Sequence, residues 1–126
     1  MSDILQNTED GVLTLTLNRV AKKNSLTAAM YAELADCLVA ATANPAVRVV
    51  LIQGHETVFS AGNDLADFMN APPAGTDSPV FRFLNAISTC PKPLLAAVCG
   101  PAVGIGSTML LHCDLVVAGD NAAFSL

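Results

Sequence analysis

The stretch GPAVGIGSTMLLHCD, residues 100–114, decides the fold of this chain. It follows the apolar run LLAAV at residues 94–98, which predicts a buried strand, and it leads into a short helix predicted from about Gly106 to His112. Gly104 and Gly106, separated by one residue, lie at the turn between them. A strand, a glycine turn and a helix in this order are typical of an α/β protein.

Three common functions of a glycine turn do not fit these residues. A phosphate loop of the Walker type needs Lys directly after its last glycine, and here Ser107 follows Gly106. The dinucleotide fingerprint needs a third glycine where Met109 stands. A nucleophilic Ser107 would need a nearby histidine, but His112 lies roughly 140° away around the same helix. Two interpretations stay open: close packing of strand and helix, or an anion site made of main-chain N–H groups, including that of Ile105.

A second loop of the same kind favours the anion site. FSAGNDL, residues 59–65, follows the apolar strand VVLI at 49–52 and also opens a short helix. The N–H of Asn63 comes directly after a glycine, as the N–H of Ile105 does. Two such loops at one sheet edge can direct their N–H groups at one oxygen, which is the geometry of an oxyanion hole. Asp64 is predicted to cap the short helix, which should end near Met69.

The other segments predict one domain, residues 1–126, with a mostly parallel sheet and helices on its faces. VLTLTL at 12–17 alternates as a strand whose three leucines face the core. Thr27 should cap a helix that runs to about Asn44 and carries an apolar stripe. The strand at 49–52 is predicted to be buried on both faces, and it completes a βαβ unit. Residues 70–79 predict a connection, 80–89 a helix and 115–118 a strand. The apolar stripe of the helix that Thr27 caps consists of Met30, Leu34, Cys37, Leu38 and Ala41. The inward residues of the strand at 12–17 are Leu13, Leu15 and Leu17. The helix at 80–89 should turn Phe81, Leu84 and either Ile87 or Phe83 inward.

Composition narrows the classes of function. The chain is 52% apolar and 13% charged, with a net charge of -5, so it offers no basic patch for nucleic acid. No apolar run reaches the roughly 18 residues that cross a bilayer, and the first residues do not resemble a signal peptide, which predicts a cytoplasmic protein without a membrane partner. The four cysteines have neither disulfide nor metal-ligand spacing, so we expect no metal.

Three motifs resemble the crotonase family, also called the enoyl-CoA hydratase/isomerase superfamily. They are FSAGNDL (59–65), CGPAVGIGSTMLLHCDLVVAGDNAAF (99–124) and TLNRVAKKNSLTAAMYAEL (16–34). The resemblance implies the α/β spiral of the ClpP/crotonase-like fold, built from repeated ββα units with helices packed on the sheets. It covers the N-terminal portion of that fold, so the chain looks truncated at its C-terminus.

The resemblance also implies a site. The backbone N–H groups of Asn63 and Ile105 would form the oxyanion hole, where the thioester oxygen of an acyl-CoA turns into an enolate oxygen. Coenzyme A is then part of the substrate, and no separate cofactor is expected. The residues implied to bind substrate are Ala21, Lys22, Lys23, Ser60, Ala61, Gly62, Asn63, Asp64, Leu65, Gly104, Gly106 and Thr108.

The activity implied is that of an enoyl-CoA isomerase, which moves a double bond from the Δ3 to the Δ2 position in fatty acid β-oxidation. Thr108 stands where enoyl-CoA hydratases carry a glutamate, and the single glutamate of the isomerases would lie beyond Leu126. The alternatives are a 2-enoyl-CoA hydratase and a non-catalytic fragment that binds CoA thioesters. The resemblance further implies a homotrimer or hexamer, and a peroxisomal location if the protein is eukaryotic with a C-terminal signal.

Overall fold

A computed structural model of the chain describes residues 2–70, 72 and 75–126. Of the connection predicted at 70–79, residues 71, 73 and 74 lie outside this description. The described residues confirm the predicted α/β class and contain seven strands, four α-helices and two 3₁₀ helices. In chain order these are β1 (Ile4–Glu9), β2 (Val12–Leu17), the 3₁₀ helix Val20–Lys22, α1 (Ala28–Ala43), β3 (Val49–Gln53), α2 (Leu65–Asn70), α3 (Pro79–Ser88), β4 (Leu94–Val98), β5 (Pro101–Val103), α4 (Ile105–Thr108), the 3₁₀ helix Met109–His112, β6 (Leu115–Ala118) and β7 (Ala123–Ser125).

The main sheet has the strand order β1-β2-β3-β4-β6. Strands β2, β3, β4 and β6 pair in parallel, and β1 pairs antiparallel with β2. The predicted βαβ unit is therefore confirmed as β2-α1-β3. A second sheet joins β5 to β7 in parallel, so β4, β5 and α4 follow one another in the ββα order of the spiral. This arrangement brings the loops after β3 and β5 to the same region of the molecule.

Strand β2 has the predicted alternation, with Leu13, Leu15 and Leu17 buried. Strand β3 differs from its prediction. Val50 and Ile52 are buried, but the alternate residues of the strand are only half-buried. One face of the strand is therefore fully enclosed in the core, while the other face is covered less completely.

Helix α1 begins and packs as its sequence predicts. The Thr27 hydroxyl oxygen accepts a hydrogen bond from the Met30 N–H at 3.2 Å, which satisfies one of the free donors of the first turn. All five residues of the predicted apolar stripe are buried. The side of α1 next to this stripe packs against α3, where the rings of Tyr31 and Phe83 lie 5.4 Å apart.

The predicted inward face of α3 is wrong at Phe81. This side chain is 45% exposed, whereas Phe83, Ala86 and Ile87 are buried. The helix carries enough apolar residues to offer two possible stripes. The packing of α1 against Phe83 selects the stripe, which leaves Phe81 on the outer side.

Strand β1 was not predicted from the sequence. Its residues ILQNTE contain one buried side chain, Ile4, and five exposed ones. A strand at the edge of a sheet needs little apolar periodicity, because its hydrogen bonds to β2 hold it in place. The hairpin turn at Asp10 and Gly11, both with positive φ, makes that pairing possible.

No helix among the described residues is long and apolar enough to span a bilayer. The four cysteines are free, and Cys37 lies in the core. The His, Cys, Asp and Glu side chains that the structure describes form no group of three able to hold a metal ion.

The side chain of Lys92 caps the C-terminus of α1, although it lies far from that helix in the sequence. Its Nζ donates hydrogen bonds to the carbonyl oxygens of Ala41 at 2.6 Å, Asn44 at 2.7 Å and Val47 at 2.7 Å. Carbonyls at a helix C-terminus have no partner within the helix, and a cation there is favourable. Lys92 therefore fastens the loop before β4 to the end of α1.

We predict that Lys92→Met lowers the free energy of unfolding by about 1–3 kcal/mol, because three carbonyl oxygens lose a charged donor. Lys22→Met is the matched control, since Lys22 is exposed and should change stability by less than about 0.5 kcal/mol. Urea unfolding of both variants measures the difference. Equal stabilities of the two variants would contradict the assignment.

Candidate functional site

In the loop after β3, a hydrogen bond fixes the orientation of the peptide group between Gly62 and Asn63. This glycine has a φ of 95°, and its carbonyl oxygen accepts a hydrogen bond from the Leu26 N–H at 2.8 Å. In a planar trans peptide, C=O and N–H point in opposite directions. The N–H of Asn63 therefore points away from Leu26, and no carbonyl in the described part of the chain accepts it.

The loop after β5 repeats this arrangement at Gly104, which has a φ of 60°. Its carbonyl oxygen accepts hydrogen bonds from the N–H groups of Ser107 and Thr108, both at 2.9 Å. The N–H of Ile105 belongs to the same peptide group and therefore points out of the N-terminus of α4. Within residues 2–70, 72 and 75–126 it too has no carbonyl partner.

The two loops lie against each other. The carbonyl oxygen of Ser60 accepts the Val103 N–H at 2.9 Å, and Ser60 forms a parallel bridge with Ala102. A Cβ atom at Gly62 would lie 3.0 Å from the Val103 oxygen, and one at Gly106 would lie 2.7 Å from the Ser60 oxygen. Both contacts are with main chain that cannot move aside. The glycines are therefore needed for this close approach as well as for backbone conformation.

A buried polar network holds the first loop to the segment before α1. Ser60 and Asn24 are both fully buried. The Ser60 hydroxyl donates to the Asn24 carbonyl at 2.8 Å and accepts the Gly62 N–H at 3.1 Å. The Asn24 amide donates to the Phe59 carbonyl at 3.1 Å and accepts the Arg19 N–H at 2.7 Å. Asn24 was not predicted as a site residue. The signal for it is an asparagine in the turn sequence NRVAKKNS, since Asn tolerates the positive φ of 54° found there.

Asp64 is a helix cap, as predicted. Its Oδ1 accepts the Asp67 N–H at 2.9 Å, and its Oδ2 lies 2.8 Å from the Arg19 guanidinium. The Asp67 N–H and the Arg19 guanidinium together lower the pKa of Asp64 below its usual value. A carboxylate held in this way is a poor proton acceptor. Asp64 therefore positions the loop and is not suited to act as a base.

The carboxylates of Asp67 and Asp114 also accept hydrogen bonds from the main chain. Asp67 Oδ2 accepts the N–H of Ala28, the first residue of α1, at 2.7 Å. Asp114 Oδ2 accepts the N–H of Leu94, the first residue of β4, at 2.8 Å. Both join one element to another, and Asp114 does so at the start of β4, at the opposite end of the sheet from the two loops.

The hydroxyl of Ser107 is also engaged. It donates a hydrogen bond to the carbonyl oxygen of Ala102 at 2.5 Å. This bond ties the first turn of α4 to β5, so the hydroxyl serves the fold of the second loop. A nucleophilic Ser107, set aside on sequence grounds, gains no support from the structure.

Of the residues implied to bind coenzyme A, Lys23 and Ala61 line one cavity beside the first loop, whereas Ser60 and Gly62 are buried. Ala21, Lys22 and Lys23 are exposed on the turn around the first 3₁₀ helix, and the Lys23 carbonyl accepts the Ala61 N–H at 3.0 Å. An open cavity of about 510 Å³ lies there, and its lining residues are Val20, Lys23, Thr57, Val58, Ala61, Pro101 and Val103. Among the described residues, neither lysine forms an ion pair. Leu65, at the start of α2, is exposed.

Thr108 lines a different cavity, of about 500 Å³, on the far side of α4. Its walls are almost entirely apolar, and they comprise Ser107, Thr108, Leu110, Leu111, Val116, Phe124, Ser125 and Leu126. None of these lining residues is acidic. The structure therefore places Thr108 beside apolar side chains and apart from the lysine-lined cavity.

Comparison with known proteins gives the family. The family model described as "Enoyl-CoA hydratase/isomerase" matches residues 7–126. The chain is 35% identical to human enoyl-CoA delta isomerase 2, covering 96% of this chain and 32% of that protein. It is 39% identical to 2,3-dehydroadipyl-CoA hydratase of Escherichia coli, covering 100% and 50% of the two chains. The structure of Pseudomonas aeruginosa OdaA superposes with a TM-score of 0.95 at 54% identity, over 98% of this chain and 50% of that one.

The fold is that of an α/β spiral whose two glycine loops meet at one place. The chain belongs to the enoyl-CoA hydratase/isomerase family, the crotonase superfamily, and the two relatives described above are named as an enoyl-CoA isomerase and a dehydroadipyl-CoA hydratase. It spans 32% of the length of the human relative and 50% of the length of the Escherichia coli relative.

We predict that Asn24→Ala lowers the free energy of unfolding by about 2–4 kcal/mol, because the Phe59 carbonyl and the Arg19 N–H lose their partner in a buried place. Asn7→Ala is the matched control, since Asn7 is exposed on β1, and it should change stability by less than about 0.5 kcal/mol. Thermal unfolding followed by circular dichroism measures both. A small effect at Asn24 would show that the network does not hold the loop.

The lowered pKa of Asp64 predicts a dependence on pH. A carboxyl group whose pKa is lower in the folded state stabilises the protein above its unfolded pKa, and this contribution is lost as pH falls through the folded value. Asp64→Asn should therefore be less stable than the wild type at neutral pH, and the gap should narrow below about pH 4. Urea midpoints across this range measure it, with Asp120→Asn as an exposed control. A gap that stays constant with pH would contradict the prediction.

Proposed function

We propose that this chain carries the oxyanion hole and the CoA-binding surface of an enoyl-CoA isomerase that moves a double bond from Δ3 to Δ2. The observation that carries the proposal is the pair of glycine-led peptide groups at Gly62 and Gly104. Each carbonyl is held by a hydrogen bond on one side, and each following N–H is left without a carbonyl partner among the described residues. The two loops are in direct main-chain contact.

These N–H groups suit a reaction that places negative charge on a thioester oxygen. A base removes the proton from C2 of a 3-enoyl-CoA, and the electron pair spreads over a dienolate whose charge rests largely on that oxygen. The proton then returns at C4, which leaves the double bond between C2 and C3 in conjugation with the thioester. A preorganised donor at such an oxygen stabilises the transition state by roughly 3–4 kcal/mol.

The base is proposed to come from a segment that the family carries beyond the position of Leu126. Within this chain, the carboxylates beside the first loop, Asp64 and Asp67, accept N–H groups of the backbone. A Thr108 hydroxyl cannot serve as a base at neutral pH without a partner that takes its proton. In this proposal the chain stabilises the negative charge, and a glutamate outside it transfers the proton.

Lys22 and Lys23 are proposed to bind the phosphates of coenzyme A, and the cavity beside Lys23 and Ala61 to hold part of the CoA chain. Both lysines are exposed on a turn that is fixed to the first loop by the Lys23–Ala61 hydrogen bond. The substrate would thus extend from the lysines to the oxyanion hole. No further cofactor is needed, and we propose a cytoplasmic enzyme that assembles as a homotrimer or hexamer.

Two other functions are the alternatives. A 2-enoyl-CoA hydratase is favoured by the similarity to 2,3-dehydroadipyl-CoA hydratase, but Thr108 in place of a glutamate speaks against the usual two-glutamate chemistry. A non-catalytic module that binds CoA thioesters is favoured by the engagement of the carboxylates near the loops. The same oxyanion hole serves all three functions, so an experiment must separate charge stabilisation from turnover.

We predict that Ile105→Pro removes charge stabilisation while the chain stays folded. Proline lacks the N–H and is tolerated at the first position of a helix, which is where Ile105 lies. Acetoacetyl-CoA is the probe, because its enolate absorbs in the near ultraviolet and forms when the oxyanion is stabilised. Ile105→Pro should weaken enolate binding by roughly 100-fold or more. Ile105→Ala, which keeps the N–H, is the matched control and should stay within about threefold of wild type.

Turnover separates the three functions. Formation of a conjugated 2-enoyl thioester from a 3-enoyl-CoA supports the isomerase, and hydration of a 2-enoyl-CoA without a double-bond shift supports the hydratase. Enolate binding without either reaction is expected of this chain alone, because the proposed base lies outside it. That result supports the non-catalytic module only if a protein extended through the proposed glutamate is also inactive. If wild type and Ile105→Pro bind the enolate equally, the oxyanion hole is wrong and the proposal fails.

A further inference from the structure

We propose that Tyr31 is a positioning residue that acts through the side chain of Asn63 to hold the first loop in its anion-binding conformation. The inference rests on the proposed oxyanion hole, because it assigns a role to Tyr31 at that site. Tyr31 lies on α1, 32 residues away from Asn63 in the sequence, and the two meet through one hydrogen bond between side chains.

The hydrogen bond is made by a buried phenol. Tyr31 is 2% exposed, and its hydroxyl donates to Oδ1 of Asn63. Burial raises the pKa of Tyr31, so the hydroxyl stays protonated and remains a donor through the physiological range. The ring is fixed by Phe83 on α3, with the ring centres 5.4 Å apart. Tyr31 is thus a rigid donor, supported by two helices, in contact with a loop residue.

Asn63 itself is exposed and follows a glycine, so its conformation needs support from outside the loop. Gly62, with a φ of 95°, can rotate more freely than any other residue. The backbone around Asn63 is held on one side by Leu26, whose N–H binds the Gly62 carbonyl and whose carbonyl accepts the Asp64 N–H at 2.9 Å. The bond from Tyr31 adds a second support, from the side chain of the very residue that carries the proposed N–H donor.

The two supports act on different atoms. The Leu26 hydrogen bonds set the plane of the Gly62–Asn63 peptide, and the Tyr31 hydrogen bond sets the side chain of Asn63 and hence the position of its Cα. A hydrogen-bond donor that is misplaced by a fraction of an ångström stabilises a developing negative charge much less. The geometry therefore links a buried hydroxyl in the core of the molecule to the strength of charge stabilisation at its surface.

The test removes the Tyr31 hydroxyl and keeps its ring. Tyr31→Phe should weaken binding of the acetoacetyl-CoA enolate by about 3- to 10-fold, the fold-change of one net hydrogen bond. Binding of butyryl-CoA, whose C2 protons are far less acidic and which therefore binds as the neutral thioester, should change by less than about twofold, since little charge develops on its oxygen. Thr42→Val is the matched control. It removes a hydroxyl from the same helix, where Thr42 bonds to the Leu38 carbonyl, and should leave both affinities unchanged.

A double-mutant cycle shows whether Tyr31 acts through Asn63. In an Asn63→Ala background, which keeps the N–H but lacks the acceptor, Tyr31→Phe should have no further effect on enolate binding. Equal enolate binding by Tyr31→Phe and wild type would overturn the inference. An equal loss for both thioesters, or the same loss in the Asn63→Ala background, would also overturn it, because either result indicates a general structural role. A wild-type chain that fails to bind the enolate would instead reject the proposed function, and this inference with it.

Discussion

The structure of the site depends on how two peptide groups are held by their carbonyl oxygens. At Gly62 the restraint comes from another segment, through the Leu26 N–H, and at Gly104 it comes from the helix that follows. In each case the rigid planar peptide converts a hydrogen bond on the oxygen into a fixed direction for the next N–H. The site is therefore made without any specialised side chain at its centre, and its precision comes from the bonds behind it.

This constraint explains why polar side chains are buried around the first loop. Asn24 and Ser60 hold the turn before α1 and the loop after β3 together in a place without water, and each is satisfied by main-chain partners. Arg19 and Asp64 add an ion pair nearer the surface. These groups cost free energy to bury and could be replaced by apolar residues if packing were their whole purpose. Their arrangement instead fixes one conformation of a loop that contains a freely rotating glycine.

The acidic side chains beside the first glycine loop serve the fold. Asp67 accepts the N–H of Ala28 at the start of α1, and Asp64 accepts the N–H of Asp67 in the first turn of α2. Membership of a family whose named relatives include both isomerases and hydratases is consistent with one charge-stabilising site that serves several reactions.

The sequence by itself was sufficient for the features that depend on neighbouring residues. The alternation of β2, the Thr27 cap, the stripe of α1 and the capping role of Asp64 all follow from spacing over one or two turns, and the structure confirms them. The two glycine loops could also be recognised, since each glycine lies between a strand and a helix. Strand β1 could not, because one buried residue leaves no periodic pattern.

Contacts between distant segments were decided by the tertiary structure alone. Phe81 and Phe83 are both apolar residues on α3, and only the packing of α1 determines which of them is buried. The Tyr31–Asn63 and Ser60–Asn24 hydrogen bonds join residues more than 30 positions apart. Lys92 reaches the end of α1 across 51 positions. A local pattern records the preferences of a single turn or strand, whereas such contacts depend on how whole elements are brought together, and that is why they appear only in the folded chain.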